Sequence, residues 1–377
     1  MPGMVNTHCH MAMSLFRGLG DDEPDRLERY IFPLEARFVT PEMVRLGSLH
    51  AAVELAEGGV TTVADMYYFE DQAAHACAAV GLRGVVGQTY MARPLPDAAD
   101  PEESEARFAA LVEACAGDAR LIPSRAPHAP HTCGLDLLSR IAEAAAGDST
   151  PIQIHLAEVP AEVDWARAAH GTGPVGVLDR AGLLSPRLIG AHGLLLTEAE
   201  IARLAETGAT IAHCPGSNAK AGKGIAPVLA LRAAGVPVGL GSDGAMSGNT
   251  LDLIAQLPQA AKLAKLRAGD RRVMTARQVL TLATLGGARA LGLDDRLGSL
   301  EPGKVADLVR IDLSAPRIRP RHDLASLLVY SAVASDVREV RVGGRAIVLD
   351  GRALYSDRDG ALVEADRFAA QMAATVG

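Results

Sequence analysis

Aromatic residues make up only 3% of this 377-residue chain, too few for the stacking platform on which single-stranded nucleic acid is held. Basic charge is also short: 37 lysines and arginines stand against 45 acidic residues, a formal net charge of −8. The cations are scattered rather than gathered in a stripe, so binding along a phosphate backbone is not expected and no nucleic-acid partner is foreseen. The five cysteines, Cys9, Cys77, Cys115, Cys133 and Cys214, form no Cys-x-x-Cys pair. A sparse, odd set in a long chain does not resemble a disulfide framework. No apolar run has the length needed to cross a bilayer. Met1-Pro2-Gly3 leads into a histidine pair without the basic-then-apolar stretch of a signal peptide. A cytoplasmic protein without a membrane partner is the expectation.

What is present is alanine and glycine, the latter at 38 positions; small side chains suit tight packing of helices on strands. Short apolar runs recur between alanine-rich helical stretches. They end at 8–10 and cover 59–66, 82–90, 121–127, 151–158, 188–195, 210–215 and 236–243, spaced as strands with crossover helices. Between them, 41–57 has Met43, Leu46, Leu49, Val53 and Leu55 at near-helical intervals, closed by Gly58-Gly59. A second helix is expected over 198–206, with Thr197 as N-cap and Glu200 at N3. The long stretch after the first strand, including 27–38, leaves room for a substrate-side loop. Eight such units predict a closed (β/α)8 TIM-like barrel over residues 1–295. Beyond it the character changes: turn residues at 298–304, short strands at 307–311 and 337–349 (broken at Gly343-Gly344), and a helix at 323–332. Residues 296–377 therefore read as a residual β-sandwich with a helical tail, small for an independent core.

The chemistry-bearing residues cluster at the C-terminal ends of the expected strands, where the loops of such a barrel converge. His8 and His10 flank Cys9, and two imidazoles at i and i+2 on an extended segment face one way. Alone, a His-x-His pair fits a surface or core role better than a ligand's. The sum says more: His155 follows Pro-Ile-Gln-Ile, His192 follows Leu-Ile-Gly-Ala, and Asp243 follows Val-Gly-Leu-Gly-Ser. Titratable groups at the ends of buried strands need a metal or hydrogen-bond partners. His8, His10, His155 and Asp243 suit one divalent ion, zinc first, with iron or manganese also admitted. Glu158, in His-Leu-Ala-Glu, is placed to move a proton, His192 to orient the attacking water or serve as a further ligand, and Asp243 to accept the water's first proton.

These residues sit in longer motifs: Pro-Gly-Met-Val-Asn-Thr-His-Cys-His at 2–10, Leu-Phe-Arg-Gly at 15–18, Pro-Leu-Glu at 33–35, His-Cys-Pro-Gly-Ser-Asn at 213–218, Gly-Ile-Ala-Pro-Val at 224–228, Gly-Ser-Asp-Gly at 241–244 and Gly-Lys-Val-Ala-Asp-Leu at 303–308. Together they resemble the amidohydrolase superfamily, in particular the branch of adenosine, S-adenosylhomocysteine and methylthioadenosine deaminases and triazine chlorohydrolases. The resemblance implies a mononuclear site held by His8, His10, His155 and Asp243, with Glu158 and His192 as the catalytic pair. No lysine ends the fourth strand, where binuclear relatives carry a metal-bridging one; His128 stands there instead, and the resemblance puts it against the substrate. It also makes Glu35 a partner for ribose hydroxyls, which a carboxylate can accept two at a time; on the residues alone Glu35 reads equally as solvated surface. Relatives that hold a homocysteine carboxylate use arginines after the third strand. This chain has Gln88 there, with Arg93 the nearest substitute on a loop carrying Asp97, Asp100, Glu102 and Glu103. That environment disfavours S-adenosylhomocysteine. Family members also carry strands before the Pro-Gly-Met segment, so either the sandwich is reduced here or the start was assigned too late.

The expected function is hydrolytic deamination of an aminated purine or related nitrogen heterocycle, an adenosine-like nucleoside being favoured by Glu35, through attack of hydroxide generated at the metal. Alternatives are a relative with another leaving group (a triazine chlorohydrolase or aminohydrolase, or a cyclic amidase) and a non-catalytic metal-binding or assembly protein. A small-molecule substrate is the expected partner, in a homodimer or homotetramer. Cys9 and Cys214 are expected as small buried fillers, Asp65 as a brace, and Asn218 either to organise a loop or to touch substrate.

Overall fold

The computed structural model describes residues 1–23 and 27–376; residues 24–26 and 377, within the expected barrel and tail, lie outside it. Eight parallel strands close into a barrel in sequence order: β1 (Met4–Cys9), β2 (Val60–Tyr67), β3 (Arg83–Tyr90), β4 (Leu121–Pro127), β5 (Ile152–Leu156), β6 (Leu188–His192), β7 (Thr210–His213) and β8 (Val238–Leu240). Closure is made where Asn6 of β1 pairs with Leu240 of β8. All six residues of β1 and all eight of β2 are buried, the polar Asn6, Thr7, His8, Thr61, Thr62 and Asp65 included, as strands of a parallel barrel with both faces covered are.

Four strands, β5 to β8, are shorter than their apolar runs predict. β5, β6 and β8 give way to residues with left-handed backbone: Ala157 at φ +50°, His192 at +73° and Asp243 at +61°. Such conformations are costly away from glycine and concentrate at functional sites. Here they turn the chain across the barrel mouth. The helix Pro41–Glu57 appears as the periodicity predicts, with Thr40 Oγ1 accepting from Met43 N at 3.2 Å. The capping box at Thr197 and Glu200 also forms. After β1, a 3-10 turn at Met11–Phe16 leans on the long helix; Ser14 Oγ donates to Gly47 O at 2.7 Å, and a Cβ on Gly47 would stand 2.3 Å from Ala12 O. Only a glycine allows this approach.

The opposite end of the barrel is closed by the chain itself. Val5, Ala64, Val85 and Ile189 pack against Ala288, Leu291, Leu293 and Leu297, which follow the last barrel strand. The expected tail forms β9 (Leu308–Ile311), β10 (Val337–Val342), β11 (Arg345–Leu349) and β12 (Arg352–Ala353) in an antiparallel sheet ordered β12-β11-β10-β9. The expected helix there is Leu324–Tyr330. Residues 1–3 meet the β9 edge: Met1 N donates to Val309 O at 2.9 Å, and Gly3 N to Asp307 O at 2.9 Å. Such pairing covers an edge that would otherwise invite association. The final helix Arg358–Val376 returns to the helix Pro41–Glu57, fastened by Arg358 Nε to Glu57 Oε1 at 2.6 Å. Among the described residues, no helix is long and apolar enough to cross a membrane.

Candidate active site

The ends of β1, β5 and β6 and the turn after β8 bring His8, His10, His155, His192 and Asp243 together, all buried. The His8 ring lies 4.8 Å from His10, 5.0 Å from His155 and 5.4 Å from His192, centroid to centroid. Hydrogen bonds fix the rings. His10 Nδ1 lies 2.7 Å from Met66 O, and His155 Nδ1 lies 2.7 Å from His128 O. A carbonyl oxygen only accepts, so each Nδ1 carries the proton and each neutral ring presents a lone pair at Nε2. Those two Nε2 atoms face each other at 3.2 Å. Asp243 Oδ1 stands 3.4 Å from His10 Nε2 and 3.7 Å from His8 Nε2, and His8 Nε2 is buried without a hydrogen-bond partner. Converging lone pairs and a carboxylate repel one another unless a cation sits between them. Ligand atoms of His8, His155 and His192, and of His8, His10 and Asp243, fall within 4.8 Å of one another in each group. The donor set therefore fits a divalent ion of borderline softness.

Electrostatics agree. Burial, reinforced by the neighbouring imidazoles, pushes His8 well below its usual range and His155 down to about 4, so both stay neutral and available as donors. Burial alone would raise Asp243, but His192, His10 and Lys223 hold it down at about 2.

Glu158 lies beside this cluster, its Oε1 3.6 Å from His192 Nε2. Burial opposes its ionisation, yet His192, Lys223 and His155 outweigh it and keep the carboxyl below the ordinary range. Its backbone is pinned by a residue that sequence reasoning passed over. Glu162 accepts from Ala157 N at 2.8 Å and from Glu158 N at 2.9 Å. Two amides taken by one carboxylate stabilise the left-handed turn that swings Glu158 inward. Asn218 Oδ1 meets His192 Nδ1 at 2.9 Å, which gives it a brace's role within the site. Asp65 braces as well, its Oδ1 accepting from Met11 N at 2.7 Å just after His10. Cys9 and Cys214 are buried free thiols, their ionisation suppressed first by that burial.

The substrate-side residues divide. Glu35 and Arg93 line one cavity of about 300 Å³ with Phe32, Ala36, Tyr68, Pro94, Leu95 and Pro96. Glu35 is buried rather than solvated, and Tyr68 Oη donates to its Oε2 at 3.3 Å. Burial raises its carboxyl to about 7 against the hydrogen bonds of Tyr67 and Tyr68. Ring contacts link the cavity to the histidines: Phe32 to His128 at 6.4 Å, and His128 to His155 at 4.8 Å. Gln88 is placed elsewhere. It is buried, and its Nε2 donates to Asp97 Oδ2 at 2.9 Å, the oxygen that also accepts from Phe69 N. The acidic loop is likewise occupied, since Asp100 caps the helix Pro101–Cys115 and Glu103 accepts from Ala99 N. The loop's contribution to the cavity wall is Pro94, Leu95 and Pro96, an apolar surface. Lys223, Tyr68 and Phe32 were also missed by sequence reasoning. No periodicity marks them, and only the glycines flanking Lys223 signalled a turn.

Residues 1–347 match the amidohydrolase family model. The 5-methylthioadenosine/S-adenosylhomocysteine deaminase of Moorella thermoacetica is 42% identical over 362 residues, 95% of this chain and 84% of that protein. Among solved structures, an adenosine deaminase from Xanthomonas campestris with bound zinc superposes with a TM-score of 0.96 at 38% identity, over 99% of this chain and 86% of that one. A zinc complex of atrazine chlorohydrolase from Arthrobacter aurescens shares the fold, with a TM-score of 0.91 at 23% identity over 98% of this chain and 88% of that one. The chain belongs to the amidohydrolase family and is, on these grounds, a hydrolase of carbon–nitrogen bonds.

Proposed function

We propose that this hydrolase is a metal-dependent deaminase that removes the exocyclic amino group of an adenosine-like nucleoside. The observation that carries the reading is the pair of Nε2 lone pairs facing each other at 3.2 Å on His10 and His155, with Asp243 alongside and the Glu158–His192 pair beside them. His8, His10, His155 and Asp243 would hold one divalent ion, zinc being the choice that the zinc-bound adenosine deaminase structure supports. Such an ion supplies Lewis acidity that makes water a nucleophile near neutral pH. His192 would orient that water, Asp243 would take up one of its two protons, and Glu158, ionised at rest, would relay the other to the ring nitrogen next to the amino-bearing carbon. Collapse of the adduct, with a second proton delivered to nitrogen, releases ammonia and leaves the carbonyl product. His128, between the cavity and His155, contacts the substrate.

Glu35 supports a ribose, because a buried carboxylate can accept from two vicinal hydroxyls. The wall of Phe32, Pro94, Leu95 and Pro96 suits an apolar 5′ substituent, with Arg93 stacked 3.9 Å over Phe32 as the cation of that wall. Ammonia release from metal-loaded protein should be fastest with adenosine and 5′-methylthioadenosine, and slower with S-adenosylhomocysteine, guanine and aminotriazines. No release from any of them would sink the reading.

Glu35 also predicts a pH dependence. Its ordinary carboxyl range lies near 4.5, and burial raises it to about 7. The accepting carboxylate is thus lost as pH falls through 7. Adenosine should bind more weakly below that pH, seen as a rising KM, while a dideoxy analogue lacking both ribose hydroxyls should show no such rise. The sign for stability is the reverse: Glu35 contributes stability below pH 4.5 that is lost as pH rises through 7. Glu35→Gln should gain stability over wild type across that window, read by chemical denaturation at each pH.

A further inference from the structure

One loop serves both members of the Glu158–His192 pair. After β7, the helix Pro215–Lys220 carries Asn218, which meets His192 Nδ1. The turn that follows is closed by Lys223 N donating to Asn218 O at 3.0 Å. Gly222 at φ +63° and Gly224 at φ +113° flank Lys223, conformations that side chains resist. This backbone delivers the Lys223 ammonium to Glu158 Oε1 at 2.5 Å. The neighbouring Lys220 is committed elsewhere, to Asp21 at 2.7 Å and Asn249 at 3.0 Å.

We propose that Lys223 is the positioning residue for Glu158, holding Oε1 so that the carboxylate exchanges its proton through the other oxygen. Glu162 fixes the backbone at Glu158 but leaves its side-chain torsions free. A glutamate whose chain rotates freely spends little time in one geometry, and ordering it costs side-chain entropy. Lys223 removes that freedom. An ion pair on open surface would contribute little; here the carboxylate end is only 19% exposed beside the histidine cluster, while the Lys223 side chain, 32% exposed, reaches it from the solvent side. The inference rests on the deaminase reading only for what Glu158 does, and it stands on geometry for where Glu158 is held.

The test compares wild type, K223M and K223C on adenosine in metal-loaded protein. Cys9, Cys77, Cys115, Cys133 and Cys214 are all buried. The introduced thiol is therefore the one that 2-bromoethylamine reaches, its sulfur displacing bromide to leave a lysine-length amine, verified by intact mass. K223M should lower kcat by about 10- to 100-fold, the cost of a misplaced catalytic group, with KM, metal content and melting temperature little changed. Aminoethylation of K223C should restore most of the lost kcat. An unchanged kcat in K223M, a rise in KM alone, or failure of the restored amine to recover turnover would each overturn the proposal. A crystal structure of K223M supplies a readout that needs no turnover: the Glu158 carboxylate should leave its place beside His192, and an unmoved carboxylate overturns the proposal. If wild type released no ammonia, the deaminase reading would fall, while that structure would still decide the role of Lys223.

Discussion

Glu158→Gln should lower kcat by about 10²- to 10⁴-fold and leave the protein folded, metal-loaded and of unchanged melting temperature. A loss of that size is about 3–5 kcal/mol of barrier. It follows from the place of Glu158 beside His192 and from what glutamine retains and lacks. The amide oxygen can still accept from Lys223, and the backbone amide of residue 158 still binds Glu162. The fold around β5 is therefore undisturbed. What disappears is the ability to take a proton from water and pass it on. Steady-state kinetics with adenosine, with metal content by elemental analysis and melting by calorimetry, separates this from unfolding. A variant that keeps its metal and turns over at the wild-type rate would remove Glu158 from the mechanism.

Stripping the metal with a chelator should reduce turnover to background, and about one equivalent of zinc should restore it. The melting temperature should rise on reloading, because an ion that binds only the folded state stabilises it by mass action. The expected gain is substantial, since binding relieves the contact between the His10 and His155 lone pairs and gives the orphaned His8 Nε2 a partner. His155→Ala and His10→Ala should each lose the metal and the activity together. Protons compete for the same nitrogens, but burial holds His155 down at about 4, so the ion should be retained on mild acidification. Full activity in protein shown by elemental analysis to be metal-free would end the metal-dependent account.

The strand positions were legible because buried parallel strands leave short runs rich in apolar residues, and the candidate site was legible because titratable residues recur at one end of those runs. His155, His192 and Asp243 each stand directly after such a run. Strand lengths were less so: β8 spans only Val238–Leu240 where the run extends to Asp243. The chain leaves the ladder because Asp243 N donates to His8 O and its own backbone is left-handed, a bond to a residue more than two hundred positions away.

Pattern by itself placed the eight strands, the turn-rich tail and the titratable residues at the strand ends, since each leaves a local signature of period or interruption; closure of the barrel is set by the pairing of Asn6 with Leu240. Tertiary structure alone decided the uses of those side chains. It turned Gln88 toward Asp97 instead of the cavity, buried Glu35 beneath Tyr68, fixed the His155 tautomer through the His128 carbonyl, and put Lys223 against Glu158. Hydrogen-bond direction, burial and charge pairing depend on which distant segment arrives beside a residue, and no run of neighbours along the chain encodes that arrival.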